Sequence, residues 1–193
     1  MTIFHQHIDS PVGRLLIAAS DRGLHAIEFP QGRHPLKRDG VWQQGPHPLL
    51  AAAARQLGEY FAGSRRAFDL PLSPQGTDFQ QRVWQALRAI PYGHTRSYAQ
   101  LAAAIGQPKA MRAVGAANGR NPLPIIVPCH RVIGANGALV GFGGGLPTKL
   151  FLLRLEGALA QEPVQSLGAR GQEAVWDGMQ GATSCTHHAA NSP

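Results

Sequence analysis

Acidic residues all but vanish from the middle of this 193-residue chain. Between residues 79 and 156 stand nine basic side chains (Arg82, Arg88, Arg96, Lys109, Arg112, Arg120, Arg131, Lys149, Arg154) against one acid, Glu156. Residues 1–78 nearly balance, with eight basic and seven acidic, and residues 157–193 turn acidic, one against three. The net charge of +7 therefore belongs to the middle segment. Such a field suits a polyanion. It also serves as plain solubilising charge, and composition alone weighs the two evenly. Cysteine is scarce too: Cys129 and Cys185 give no readable disulfide framework. A reducing, cytoplasmic setting is the expectation, and it suits a working thiol. No apolar run approaches the ~20 residues of a membrane span. The start, MTIFHQHIDS, lacks the basic residues and apolar core of a secretory signal. No internal repeat is visible. The length allows one large domain or two small ones, with room for a core either way.

The first half reads as three short antiparallel strands over residues 3–8, 14–19 and 24–29, separated by Ser10-Pro11-Val12-Gly13 and Asp21-Arg22-Gly23 turns. Residues 31–48 are rich in Gly, Pro and His and read as loop. Leu49, Leu50, Ala53, Leu57, Tyr60 and Phe61 then fall at helical spacing up to Gly63. Residues 68–72 read as a strand or as part of a linker closed by Ser73-Pro74-Gln75-Gly76, where a domain boundary is expected.

The second half reads as helices. Thr77 or Asp78 can cap a helix with the stripe Phe79, Val83, Trp84, Leu87 and Ile90. Ser97 can cap a short helix that Gly106 stops, and Pro108 opens another over residues 109–118. Two short helices around a tight Gly-containing turn outline a helix-turn-helix, a common outline and a weak signal alone. In the second of these helices Met111 and Val114 supply an apolar face on which Arg112 does not lie, and Ala110, Ala113, Gly115, Ala116 and Ala117 are small. Small side chains allow approach to a minor groove only ~6 Å wide, or simply to another helix. After the apolar run Ile125-Ile126-Val127, expected as a strand, come Pro128, Cys129, His130 and Arg131, then a Gly-rich loop over residues 134–145 and a last helix over residues 147–156. Residues 158–193 have little periodicity and are expected to be a mobile tail. Cys185, His187 and His188 fall in it, and no metal site is expected there or elsewhere.

A thiol beside an imidazole is chemistry in outline. Thiolate is the reactive form, and a nearby base or positive charge promotes it. His130 can be that base and Arg131 can add positive potential. In a regular strand Cys129 and His130 would point to opposite faces, so cooperation requires a bend or a third group. A carboxylate usually orients such an imidazole, and the middle segment offers one, Glu156, at a helix C-terminus where the dipole disfavours a bare negative charge. A thiol wired to a helix-turn-helix suggests chemistry on a base that leaves the stack.

The combination Pro128-Cys129-His130-Arg131, preceded by Asn121-Pro122 and followed by Gly141-Phe142-Gly143-Gly144-Gly145-Leu146 and Leu152-Leu153-Arg154-Leu155-Glu156-Gly157, resembles the O6-alkylguanine-DNA alkyltransferase family, also called methylated-DNA–protein-cysteine methyltransferases. Ile90-Pro91-Tyr92-Gly93, Ser97-Tyr98 and Arg112-Ala113-Val114-Gly115 match as well, so the likeness covers residues 79–157. The resemblance implies an α+β fold. A small ribonuclease H-like domain (residues 1–76) would precede a mainly helical DNA-binding alkyltransferase domain (77–158) and a flexible tail (159–193).

It also implies roles. Cys129 would attack the O6-alkyl carbon of a flipped guanine, or of O4-alkylthymine, and keep the group. His130 would deprotonate it through water, with Glu156 holding the imidazole. Tyr98 would hydrogen-bond the departing base and crowd the phosphate. Arg112 would enter the duplex from the minor groove, with Ala110, Ala113 and Gly115 on the DNA face. Asn121 would brace the turn before the Cys segment. Val132, Phe142, Gly143 and Lys149 would belong to the substrate pocket. The expected partner is double-stranded DNA containing O6-alkylguanine, met by a monomer without cofactor and without membrane, once per molecule. Two departures stand out. Phe142 and Gly143 occupy positions where some members carry Tyr and a small polar residue or Ala, and the N-terminal half has no Cys for the structural zinc of other members. A Cys-His-Glu hydrolase and a DNA-binding regulator with an incidental thiol are the rival readings.

Overall fold

The computed structural model describes residues 1–30, 32, 38 and 40–160. Apart from Leu159 and Ala160, the expected tail, with Cys185, His187 and His188, lies outside them.

Strands β1 (Thr2–Ile8), β2 (Leu15–Ser20) and β3 (Gly23–Glu28) pair antiparallel. A fourth strand, β4 (Val41–Gln44), pairs parallel with β1 and gives the order β3-β2-β1-β4. It lies in the stretch read as loop. Its four residues are largely exposed at the sheet edge, too short to show an alternation. The period-2 pattern of β2 divides its side chains cleanly. Leu15, Ile17 and Ala19 join the main core, and Leu16 and Ala18 join a smaller cluster with Ile3 and Ala26 on the other face. Helix α1 (Pro48–Phe61) packs Leu50, Ala53, Leu57 and Tyr60 into the main core.

Beyond an extended segment that touches β3 through an isolated Leu24–Leu72 bridge, α2 (Asp78–Arg88) starts at a Thr77/Gln80 capping box. Strand β5 (Arg96–Ser97) leads into α3 (Tyr98–Ala104), which has a Ser97/Gln100 capping box. After the turn at Gly106 comes α4 (Met111–Gly119), two residues later than expected and without a side-chain cap. Its Met111 is 49% exposed, not part of an apolar face, whereas Val114 is fully buried. Trp84 of α2 donates its indole N–H to the Ala117 carbonyl of α4 at 3.0 Å. Strand β6 (Val132–Ile133) pairs parallel with β5, and α5 (Leu146–Leu155) closes the described chain. One hydrophobic core runs through both halves, from Leu15, Leu57 and Tyr60 to Val83, Leu101, Val114 and Leu152. The architecture is α+β: a small N-terminal sheet with a helix, then a mainly helical part.

Candidate active site

Residues 122–132 are buried without a break, yet residues 125–127 form no strand. Pro122, Pro124 and Pro128 each lack the N–H a ladder needs. Ile125 takes a positive φ of 76°, and Val127 N–H turns back to the Leu123 carbonyl at 2.8 Å. Asn121 fastens this turn from both sides, donating to the Val127 carbonyl at 2.7 Å and accepting from Leu123 N–H at 3.0 Å. Behind Pro128 the chain enters a 3-10 turn, Cys129–Arg131. With about three residues per turn, neighbouring side chains diverge by roughly 120° rather than the 180° of a strand. The thiol and imidazole thus project from adjacent steps of one tight, buried turn.

Glu156 collects the polar side chains around that turn. It stands at the C-cap of α5, where Gly157 takes a left-handed φ of 71° and Ala158 N–H bonds back to the Leu153 carbonyl at 2.9 Å. That closure fixes the last turn and aims the carboxylate inward. His130 Nε2 lies 2.9 Å from Oε1, Arg131 donates Nε to Oε2 at 2.8 Å and an η nitrogen to Oε1 at 2.9 Å, and Gly93 N–H approaches Oε2 at 3.3 Å. Tyr60, 96 residues away on α1, donates its hydroxyl to Oε1 at 2.7 Å. Burial alone would raise the Glu156 pKa. The hydrogen bonds from His130 and Arg131 and their charges outweigh it and hold the carboxyl at about 2. Burial keeps His130 below its ordinary value, against the pull of Glu156. The consistent state is a neutral imidazole donating Nε2–H to a carboxylate. His130 Nδ1, which has no hydrogen-bond partner among the described residues, then carries the free lone pair.

Cys129 is 4% exposed. Burial pushes its thiol up to about 11, while the Asn121 side chain, the Lys149 charge and the Cys129 and His130 main chain favour the thiolate. Arg131 does not supply the positive potential expected of it, because its guanidinium is committed to Glu156 and the Ile90 carbonyl. Lys149 supplies it. That side chain is fully buried, and it donates to the Val132 and Val140 carbonyls, so it lies behind the pocket wall rather than on it. Burial lowers its pKa to about 8, with Cys129 acting in the opposite sense. Tyr98 is half-buried, its pKa raised by burial and by the proximity of Cys129.

A cleft of about 900 Å³ opens onto Cys129 between the N-terminal sheet and the end of α4. Phe142, Gly143, Asn118, Asn121 and Pro124 share its lining. Phe142 is wedged edge-on between two rings, Phe29 at 5.5 Å and His130 at 6.5 Å. Val132 is fully buried and does not line the cleft. On α4, Arg112 and Ala113 are exposed and Gly115 lies against the Tyr98 ring, while Ala110, at the N-cap just before the helix, is half-exposed. The structure therefore gathers Cys129, His130, Glu156, Tyr98, Asn121 and Lys149 at one centre and sets Arg112 and Ala113 on an outer helix face. Sequence reasoning did not single out Tyr60, Gly93 or Asn118. Tyr60 sat at helical spacing among apolar residues, and only its hydroxyl hinted at a buried partner.

Comparison with known proteins accounts for most of the described chain. Residues 78–158 match the model of the 6-O-methylguanine DNA methyltransferase DNA binding domain, and residues 3–74 that of its ribonuclease-like domain. The chain is 49% identical over 156 residues to a methylated-DNA–protein-cysteine methyltransferase of Methanosarcina acetivorans, covering 81% of this chain and 99% of that protein. It is 51% identical over 157 residues to the constitutive methylated-DNA–protein-cysteine methyltransferase of Bacillus subtilis, covering 79% and 94%. Among solved structures it is similar to Mycobacterium tuberculosis OGT in complex with DNA, with a TM-score of 0.74, 48% identity, and 82% and 94% of the two chains covered.

Proposed function

The chain belongs to the 6-O-methylguanine DNA methyltransferase family, and from that premise we propose that it repairs O6-alkylguanine in duplex DNA by moving the alkyl group irreversibly onto Cys129. The observation that carries this assignment to a residue is the buried His130–Glu156 pair beside the described chain's free cysteine. His130 Nδ1 takes the thiol proton through a bridging water. The Sγ–alkyl bond forms as the alkyl–O6 bond breaks, and the proton taken up by His130 passes back through the water to the departing guanine anion. The positive charge on His130 that this creates is met by Glu156, already ionised and already in place. Cradling by Asn121, Lys149 and main-chain N–H groups serves the thiolate during the same step.

On this reading α3 and α4 form the helix-turn-helix that addresses DNA, within an alkyltransferase unit of residues 77–158 preceded by a ribonuclease H-like unit of residues 1–76. Arg112, exposed on α4, fills the space of the flipped base. Small Ala110, Ala113 and Gly115 permit close approach to the minor groove. Tyr98 receives the base edge, and Phe142 and Gly143 border it in the cleft. The work is done by a monomer in the cytoplasm, where a thiol stays reduced. Because a thioether resists water and thiols, each molecule turns over once, and no cofactor takes part.

The test is intact mass after mixing with excess duplex carrying one O6-methylguanine, followed by peptide mapping. One added methyl per protein, on Cys129 and absent in Cys129→Ser, is the expected result. Repeated turnover points instead to the hydrolase. Lesion binding with unmodified protein points to a regulator.

A further inference from the structure

Among the described residues, Tyr60 is the N-terminal residue that reaches the catalytic carboxylate. Its ring is fully buried among Phe61, Phe68 and Tyr92. Its hydroxyl meets the same Glu156 oxygen, Oε1, that His130 Nε2 meets, at 2.7 Å against 2.9 Å. An Arg131 η nitrogen donates to that oxygen as well, at 2.9 Å. Donors on one carboxylate oxygen share its electron density, so a stronger bond to one weakens the others.

We propose that Tyr60 is a positioning residue for alkyl transfer: its hydroxyl, delivered from the N-terminal half, sets how strongly Glu156 holds the His130 imidazole. The proposal rests on reading His130 as the base for Cys129. Packing alone would be satisfied by phenylalanine at this position, since the ring lies in an aromatic cluster. Among the described residues the hydroxyl is spent on Glu156 and on no other group.

The charged and titratable groups facing this pair can be named. Glu156 faces both Tyr60 and His130 from the end of α5. Arg131 comes from the 3-10 turn and bonds both carboxylate oxygens. Lys149 of α5 acts on His130, and Tyr92, before β5, acts on Tyr60. Removing the Tyr60 hydroxyl leaves Arg131 and Gly93 in place and returns electron density to Oε1. The His130 proton is then held more tightly, and neutral imidazole appears at higher pH.

The experiment uses the full chain with Tyr60→Phe, and Tyr92→Phe as a control, because the Tyr92 hydroxyl donates to the Leu155 carbonyl instead. Two quantities are read: the His130 titration by ring ¹⁵N NMR without DNA, and the single-turnover methyl-transfer rate against pH. In Tyr60→Phe the His130 titration and the acid limb of the rate both move to higher pH. On the acid limb, below both midpoints, the rate falls roughly threefold to tenfold, the size of one hydrogen bond. Tyr92→Phe leaves both midpoints in place. Should Tyr60→Phe fail to fold, difluorotyrosine at position 60, a stronger donor, moves both midpoints to lower pH. Midpoints that stay put in every folded variant overturn the proposal, as does a slower rate with an unmoved acid limb. A shifted His130 titration in a protein that never accepts a methyl group leaves the positioning role standing and removes the alkyl-transfer reading. Transfer without a shift does the reverse.

Discussion

Glu156 carries its charge into the protein under five donated hydrogen bonds, from Tyr60, His130, Arg131 twice and Gly93. Its pKa falls from an ordinary 4.5 to about 2 on folding. The unfolded chain therefore binds the extra proton between those values, so this contribution to stability is complete above about pH 4.5 and drains away as pH falls toward 2. Acid unfolding followed by circular dichroism should show that loss, and Glu156→Gln should not. At neutral pH the same substitution leaves the Arg131 guanidinium buried without its counter-charge. It should cost about 3–5 kcal/mol by denaturant titration, beyond any effect on alkyl transfer. Much of this centre was legible in the chain. Cys129 and His130 drew notice by standing side by side after Pro128, and Glu156 as the lone acid of a basic segment. Tyr60 did not, because a hydroxyl at an apolar helical position names no partner 96 residues away. The roles of Arg131 and Lys149 were equally hidden: sequence places charges near one another but not the direction in which each side chain is committed.

The elements that came through most clearly in the sequence are those with local punctuation. Thr77 and Ser97 each begin a helix through a capping box, and Gly157 closes the last one. The edge strand β4 carried no such signal, and residues 125–127 carried a false one, since β-branched residues between prolines pack equally well in a buried turn. The Gly-rich loop before α5 shows why composition matters there. A Cβ on Gly144 would stand 2.7 Å from the Phe29 ring, which in turn supports Phe142 over His130. Gly144→Ala should therefore push that ring stack apart, lowering stability by about 1–3 kcal/mol and slowing methyl transfer. Thermal unfolding and single-turnover kinetics check the two effects, and Gly143→Ala, whose added methyl would meet no described atom within 4 Å beyond its chain neighbours, serves as the comparison for stability.

Across the whole molecule, charge and core follow different boundaries. The core runs through both halves, while the basic excess is confined to residues 79–156. Duplex affinity should therefore fall at least tenfold between roughly 50 and 200 mM salt, measured by fluorescence anisotropy, as counterions compete for the phosphates. Arg112→Ala should lower affinity for damaged and undamaged duplex alike and slow transfer further still. No described helix is long and apolar enough to cross a membrane.

A thiol whose burial lifts it to about 11 is, near neutral pH, ionised in only about one molecule in ten thousand. For a reagent that works once, such dormancy amounts to shelf life. Stray oxidants and small electrophiles meet a buried and protonated sulfur, and each copy stays fresh until a lesion in the cleft wakes it.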